Sequence, residues 1–268
     1  LIINNNMLVF AGIVPHSPIL IPTIGKENQN KLKKTLKAYD ILEEELHAAQ
    51  PDTLIVISPH GEVNNDNFIV NTGSQYSAKF QNFGDFSTEL QFKPDLGFIN
   101  QLKSQNETKL PIQLTHSDNL DHGFAVPLYF LTRKYKNYRI VPINYALLNY
   151  DLHIKLGEAI KEACYSLNKR YAILASGDLS HRLSYQAPVG FSPQAKDFDK
   201  KLIQLLKKKN VESILNLDAD LIENAAECGL RSFLILLGVI KKMDYDFHVL
   251  SYEAPFGVGY LVGEAKFK

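Results

Sequence analysis

The sequence predicts a single α/β domain whose central, largely parallel sheet is flanked by helices on both faces. Three observations carry this. Short apolar runs such as MLVFAGI at Met7–Ile13 and TLIVIS at Thr53–Ser58 read as strands buried on both sides. Between them, Lys26–Gln50 places Leu32, Leu36, Tyr39, Leu42 and Leu46 at steps of three or four, with Lys and Glu filling the rest, as in an amphipathic helix. Buried strands that alternate with such helices need cover on both faces of a parallel sheet. The chain has 268 residues and 45% hydrophobic content, enough for one large core. No repeat, low-complexity linker or shift in composition divides it.

The elements follow in order. Pro51-Asp52 stops the first helix, and Thr53–Ser58 is the second strand. Residues 64–93, rich in Asn, Gly, Ser and Phe, are expected to form a short strand at Phe68–Asn71 within a long loop, a length often found in lids. Leu96–Gln105 reads as a helix, Ile112–Leu114 as a strand and Phe124–Tyr135 as a helix. Arg139–Ile143 is a strand, Leu152–Leu167 a helix and Tyr171–Ala175 a strand. Helical patterns cover Gln194–Lys207, Val211–Leu217, Ala219–Glu223 and the apolar Gly229–Ile240. Phe247–Tyr252 and Gly257–Val262 are expected as closing strands joined at Pro255 and Gly257. Met7 is expected to be the natural start, with residues 1–6 an N-terminal extension of the 7–268 domain.

Lys plus Arg equals Asp plus Glu, at 29 each, and no basic block occurs, so neither nucleic acid nor an anionic membrane is an expected partner. No apolar run approaches the ~20 residues that span a bilayer. The two cysteines, Cys164 and Cys228, show no metal-ligand spacing and are too few for a disulfide framework. A reducing, cytoplasmic location is the default expectation.

The chemistry sits where strands end. His16 in Pro15-His-Ser-Pro18, His60 in Ser58-Pro-His-Gly61 and Glu253 in Ser251-Tyr-Glu-Ala-Pro255 each follow or close an apolar strand. Ligands of open α/β sheets gather outside the carboxyl ends of strands. Two His and one carboxylate can hold a ferrous ion by one face and leave the other open. Each residue also has a structural reading: an ordinary loop or half-buried His, or a carboxylate in a salt bridge or solvated turn. Gly61 suggests a tight turn or a close approach. His181 follows Asp178, which could orient an imidazole or cap a helix with His181 in its first turn. His122, between Asp121 and Gly123, is a substrate-side donor or the start of a helix. His47 and His153 read as surface residues of helices, and His248 as strand packing. Arg182, Tyr129, Tyr185 and Phe256 are neighbours of these motifs that could line a pocket, with Arg182 able to hold a carboxylate.

Taken together, the segments Val14–Pro22, Ile57–Gly61, Leu120–Leu128, Ala175–Arg182, Glu227–Arg231 and Leu250–Tyr260 resemble, in order, class III extradiol ring-cleavage dioxygenases of the catalytic B-subunit type. Within them the chain is most similar to the branch associated with Memo-like and radical-SAM proteins, the AmmeMemoRadiSam group. The resemblance implies the class III extradiol fold from about Met7 to the C-terminus. It implies Fe(II) held by His16, His60 and Glu253; two His and one carboxylate also accept Zn2+, which could instead activate water for hydrolysis. It further implies His181 as the acid/base and His122 as a hydrogen-bond donor to substrate. The implied reactants are a small catechol-type aromatic and O2, and the implied partners a second copy in a homodimer and a radical-SAM system. Memo-like relatives carry Cys where the Glu ligand is expected, and Glu253 would set this chain on the dioxygenase side. Branch members are often fused to a C-terminal domain, so the chain is read as a stand-alone protein or a trimmed one.

Overall fold

The computed structural model describes residues 7–268, so the expected extension at residues 1–6 lies outside the described residues. The chain runs β1 (Leu8–Val14), α1 (Pro22–Gly25), α2 (Lys33–Ala49), β2 (Thr53–Ser58), β3 (Phe68–Asn71), β4 (Tyr76–Phe80) and β5 (Asp85–Pro94). It continues through α3 (Leu96–Asn106), β6 (Ile112–Thr115), β7 (Asn119–Leu120), α4 (His122–Leu131), β8 (Arg139–Asn144), α5 (Tyr150–Ser166) and β9 (Tyr171–Ser176). The last part holds α6 (Ala195–Lys207), α7 (Val211–Leu215), α8 (Ala219–Ala225), α9 (Leu230–Val239), β10 (Tyr245–Glu253) and β11 (Tyr260–Phe267).

One sheet gathers all the strands in the order β10-β11-β1-β9-β2-β8-β5-β4-β7, with β3 pairing β8 and β6 pairing β3. The centre, β1-β9-β2-β8, is parallel throughout. Antiparallel pairs flank it: β11 lies against β1 and β10 on one side, and β3 against β8 on the other. The sheet is therefore largely parallel, as the buried strand runs require.

Strand alternation splits the apolar residues into two cores. Ile55, Ile57, Ile173 and Ala175 face Leu156 and Ile160 of α5 and Phe233 of α9. Their neighbours Leu54, Val56, Ala172 and Leu174 face Tyr39 and Leu42 of α2 and Val126 of α4. Every residue of β2 and β9 is buried, which is why neither strand shows a polar face in sequence. Each fully buried Leu, Ile or Phe contributes about 1.5–3 kcal/mol. The two cores clamp the central strands and hold their carboxyl ends at fixed positions.

Three expectations differ in detail. Residues 64–93 are not mainly loop: β4 and β5 pair as an antiparallel hairpin, with Tyr76, Ala78, Phe80 and Phe92 buried. The long first helix starts at Lys33, because residues 22–31 form short turns of their own. His153 is wholly buried in α5, with its ring nitrogens 2.9 Å from the carbonyls of Asn149 and Ala146.

Candidate metal centre and active site

The centre lies where β1, β9 and β2 end. Val14 pairs with Ser176 and Ile57 with Ala175, so the three strands finish level. His16 follows β1, His60 follows β2 and His181 follows β9, while His122 arrives as the first residue of α4. Asp121 sets that helix in place. It accepts from the Gly123 N–H and from Ser58 Oγ, both at 2.7 Å. Gly61 turns the chain back at φ +81°, and a Cβ there would lie 2.7 Å from Asp121 Oδ2. The Asn144 side-chain amide donates to the His60 carbonyl.

Three donor atoms converge. His16 Nε2 lies 2.9 Å from His60 Nε2 and 3.6 Å from Cys228 Sγ. One ligand atom from each of the three residues lies within 4.8 Å of the others. Ser176 Oγ is 3.0 Å from His16 Nδ1. With His16 Nδ1–H donating to the Ser176 hydroxyl oxygen, the Nε2 lone pair faces the cluster. The imidazole of His122 stacks on His60 at 4.2 Å between centroids and meets His16 edge-on at 5.5 Å.

Burial controls the charges here. It pushes His16 well below the ordinary imidazole range, helped by repulsion from His60, His122 and His181. His60 is pushed down to about 4, first by burial and then by His122. Burial also lowers His122 and His181. All four imidazoles are therefore neutral at pH 7, the form that ligates metal. Asp178 accepts from the His16 N–H at 3.0 Å, its other oxygen lies 3.9 Å from His16 Nε2, and burial raises it to about 7. Burial, then Asp178 and Glu227, hold the Cys228 thiol well above its usual range. Such a thiol stays protonated alone, whereas a coordinating thiol is deprotonated outright. Two neutral imidazoles with facing nitrogens and a half-buried thiol form a donor set that fits a divalent transition ion.

A cleft of about 350 Å³ opens beside these groups, and His122, His181 and Asp178 line it with His16 and His60. Pro18, Ile19, Pro188, Phe256, Val258 and Tyr260 supply its apolar walls. His181 Nδ1 is buried there and has no hydrogen-bond partner among the described residues. A larger groove of about 550 Å³ lies at the opposite end of the sheet, beside Lys93, Arg139 and the Lys169–Asp95 ion pair, and gathers no set of metal ligands.

The expected site residues thus divide. His16, His60, His122 and His181 come together around one cleft. Glu253 does not join them: its carboxylate accepts from the Thr35 N–H at 2.8 Å and Thr35 Oγ1 at 2.7 Å, in the first turn of α2. The physical reason is strand order, since β10 is separated from β1 by β11. Arg182 is absent from the cleft walls, and its Nε is buried without a partner among the described residues. Asp178 serves His16 rather than orienting His181, and no helix starts at either residue. Phe256 lines the cleft, Tyr129 packs on Phe80 and Phe130, and Tyr185 is exposed against Phe191. Cys228, whose sulfur joins the two imidazole nitrogens, was not among the expected site residues. It has no ligand spacing in sequence, because α9 brings it in from 212 residues beyond His16. The Glu227–Arg231 segment was the signal that could have found it.

Sheet, strand-end histidines and cleft define an α/β scaffold with a candidate metal centre at the carboxyl ends of its parallel strands. The chain belongs to the family described as the catalytic LigB subunit of aromatic ring-opening dioxygenase, matched over residues 11–263. It is 35% identical to Protein CA_C1420 of Clostridium acetobutylicum over 260 residues, which cover 92% of this chain and 55% of that protein. The chain thus spans about half the length of that relative. It is 22% identical to 3,4-dihydroxyphenylacetate 2,3-dioxygenase of Escherichia coli, covering 93% of this chain and 96% of that one. It is likewise 22% identical to the 2-aminophenol 1,6-dioxygenase beta subunit of a Pseudomonas species, covering 97% and 94%. Among solved structures, the uncharacterized protein JW3007 from Escherichia coli K12 shares the fold, with a TM-score of 0.66 at 15% identity over 96% of this chain and 99% of that one. No helix among the described residues is long and apolar enough to cross a membrane.

Proposed function

We propose that the protein is a metal-dependent oxidoreductase that opens an aromatic ring bearing adjacent hydroxyl or amino groups, using O2. The observation that carries this reading is the convergence of His16, His60, His122 and His181 on one cleft, in a family of ring-opening dioxygenases. His16, His60 and Cys228 would hold the metal, with Fe(II) as the proposed ion and Zn2+ as the alternative. Bound there, a divalent ion would supply Lewis acidity and a common meeting point for two reactants.

The remaining chemistry belongs to the side chains. His181 lines the cleft and is neutral, so its imidazole can take a proton from a ring hydroxyl and return it later. His122, stacked on His60, can donate a hydrogen bond to a substrate oxygen. Pro188, Phe256 and Val258 exclude water and hold a flat ring against the histidines. The experiment is oxygen uptake with a panel of catechols and aminophenols, run beside metal analysis of the same samples. His181→Ala should keep the metal and lose about 100-fold or more in turnover. Metal-replete wild type that consumes no oxygen with any member of the panel would overturn the reading.

Cys228 favours a second reading. A thiol in place of the carboxylate makes the donor set softer than the two-His-one-carboxylate arrangement of non-haem iron oxygenases. The scaffold would then hold zinc, either for hydrolysis or as a Memo-like binding protein that serves a radical-SAM partner. Oxygen-independent turnover, or metal binding with no turnover and a radical-SAM protein co-purifying, would select it.

A further inference from the structure

The walls of the cleft are sorted by charge. Apart from the histidines, Asp178 and the hydroxyls of Ser17 and Tyr260 they are apolar, and among the described residues neither Lys nor Arg lines the cleft. Two cations stand outside it. Lys31 lies over the Phe256 ring at 5.6 Å, and Arg182 is not part of the walls. A substrate carboxylate placed in this cleft would meet a buried acid and no guanidinium or ammonium, and an unpaired buried charge is costly.

The rim repeats the pattern. The turn between β4 and β5 carries Phe83, whose ring meets His122 edge-on at 5.2 Å. The chain between β9 and α6 supplies Pro188 to the wall and leaves Tyr185, Val189 and Phe191 exposed beside it. That segment is fastened to the β10–β11 turn. Leu183 N–H donates to the Gly257 carbonyl at 3.0 Å, and Gly257 sits at φ +76° with a position for a Cβ only 2.6 Å from Ala187 Cβ. Exposed apolar side chains on segments that also wall a cleft mark a surface that ligand can cover.

Resting on the ring-opening reading above, we infer that the site selects an uncharged aromatic diol whose ring substituent is apolar rather than anionic, with Phe83 a specificity-determining residue that packs on that substituent. The cleft walls exclude a carboxylate, and the apolar side chains of these two segments cover an alkyl or aryl extension.

The test compares two catechols of the same shape, one bearing a carboxymethyl group and the other its uncharged isostere, an isobutyl group. Both are titrated by calorimetry into Zn2+-loaded protein under argon, where binding is read without turnover. The isobutyl compound should bind about tenfold tighter or more. Phe83→Ala should weaken it by about threefold to tenfold and leave the carboxymethyl compound unchanged. Ile19→Lys, which adds a cation to the wall, should narrow or reverse the preference. Equal binding, or tighter binding of the carboxymethyl compound, overturns the inference while the ring-opening reading stands. If neither catechol binds to metal-loaded protein, the ring-opening reading fails and the inference falls with it.

Discussion

His16 and His60 on one side, and Glu253 on the other, follow the same local rule with opposite results. Each has a ligand-type side chain at the end of an apolar strand. The first two end β1 and β2, which are separated only by β9 in the parallel centre of the sheet, and their ring nitrogens lie 2.9 Å apart. The third ends β10, at the sheet edge, and its carboxylate satisfies the first turn of α2 through Thr35. A carboxylate is favoured at a helix N-terminus, where backbone N–H groups lack partners. The comparison teaches that a strand end becomes a site only when its neighbours in the sheet are also ends carrying ligands. Order in the sheet, not position after a strand, separates the centre from the brace.

Two substitutions sharpen the contrast. Ser176→Ala removes the group that fixes His16 Nδ1. Its metal affinity should fall by about 10–100-fold, measured by chelator competition, with circular dichroism unchanged. An unaltered affinity would mean that His16 is oriented by other contacts. Glu253→Ala should do the reverse. Metal affinity should stay within about twofold of wild type, and urea unfolding should show a loss of about 1 kcal/mol, as for a lost helix cap. Loss of metal without loss of stability would return Glu253 to the ligand set.

The same contrast shows how much was legible in the sequence. The apolar runs of β1, β2, β8 and β9 could be read because strands buried on both faces carry no competing signal. The four cleft histidines could be grouped because strand carboxyl ends share one edge. The β4–β5 hairpin was harder to see, although Tyr76, Ala78 and Phe80 alternate with polar residues at the period of a strand. Phe83 was hidden with it. His153 stands between Leu152 and Ile154 in a helix that also carries Asp151, Lys155 and Glu158, and its burial against Phe68 of β3 is a fact of packing rather than of local pattern. Cys228, although it sits in the Glu227–Arg231 segment, was harder to read for a different reason. Its partner atoms are distant in sequence, and its approach depends on how α9 docks against β9, where the Cys228 and Gly229 N–H groups both reach the Asp178 carbonyl.

The central claim is that the third donor of the metal centre is the Cys228 sulfur and not the Glu253 carboxylate. Optical spectra of Co2+-loaded wild type, Cys228→Ser and Glu253→Ala proteins test it most directly, because a thiolate ligand gives an intense sulfur-to-cobalt band in the near ultraviolet. The account predicts that band in wild type and in Glu253→Ala, and its loss in Cys228→Ser. Bound cobalt without the band in wild type, or loss of cobalt in Glu253→Ala, would contradict it.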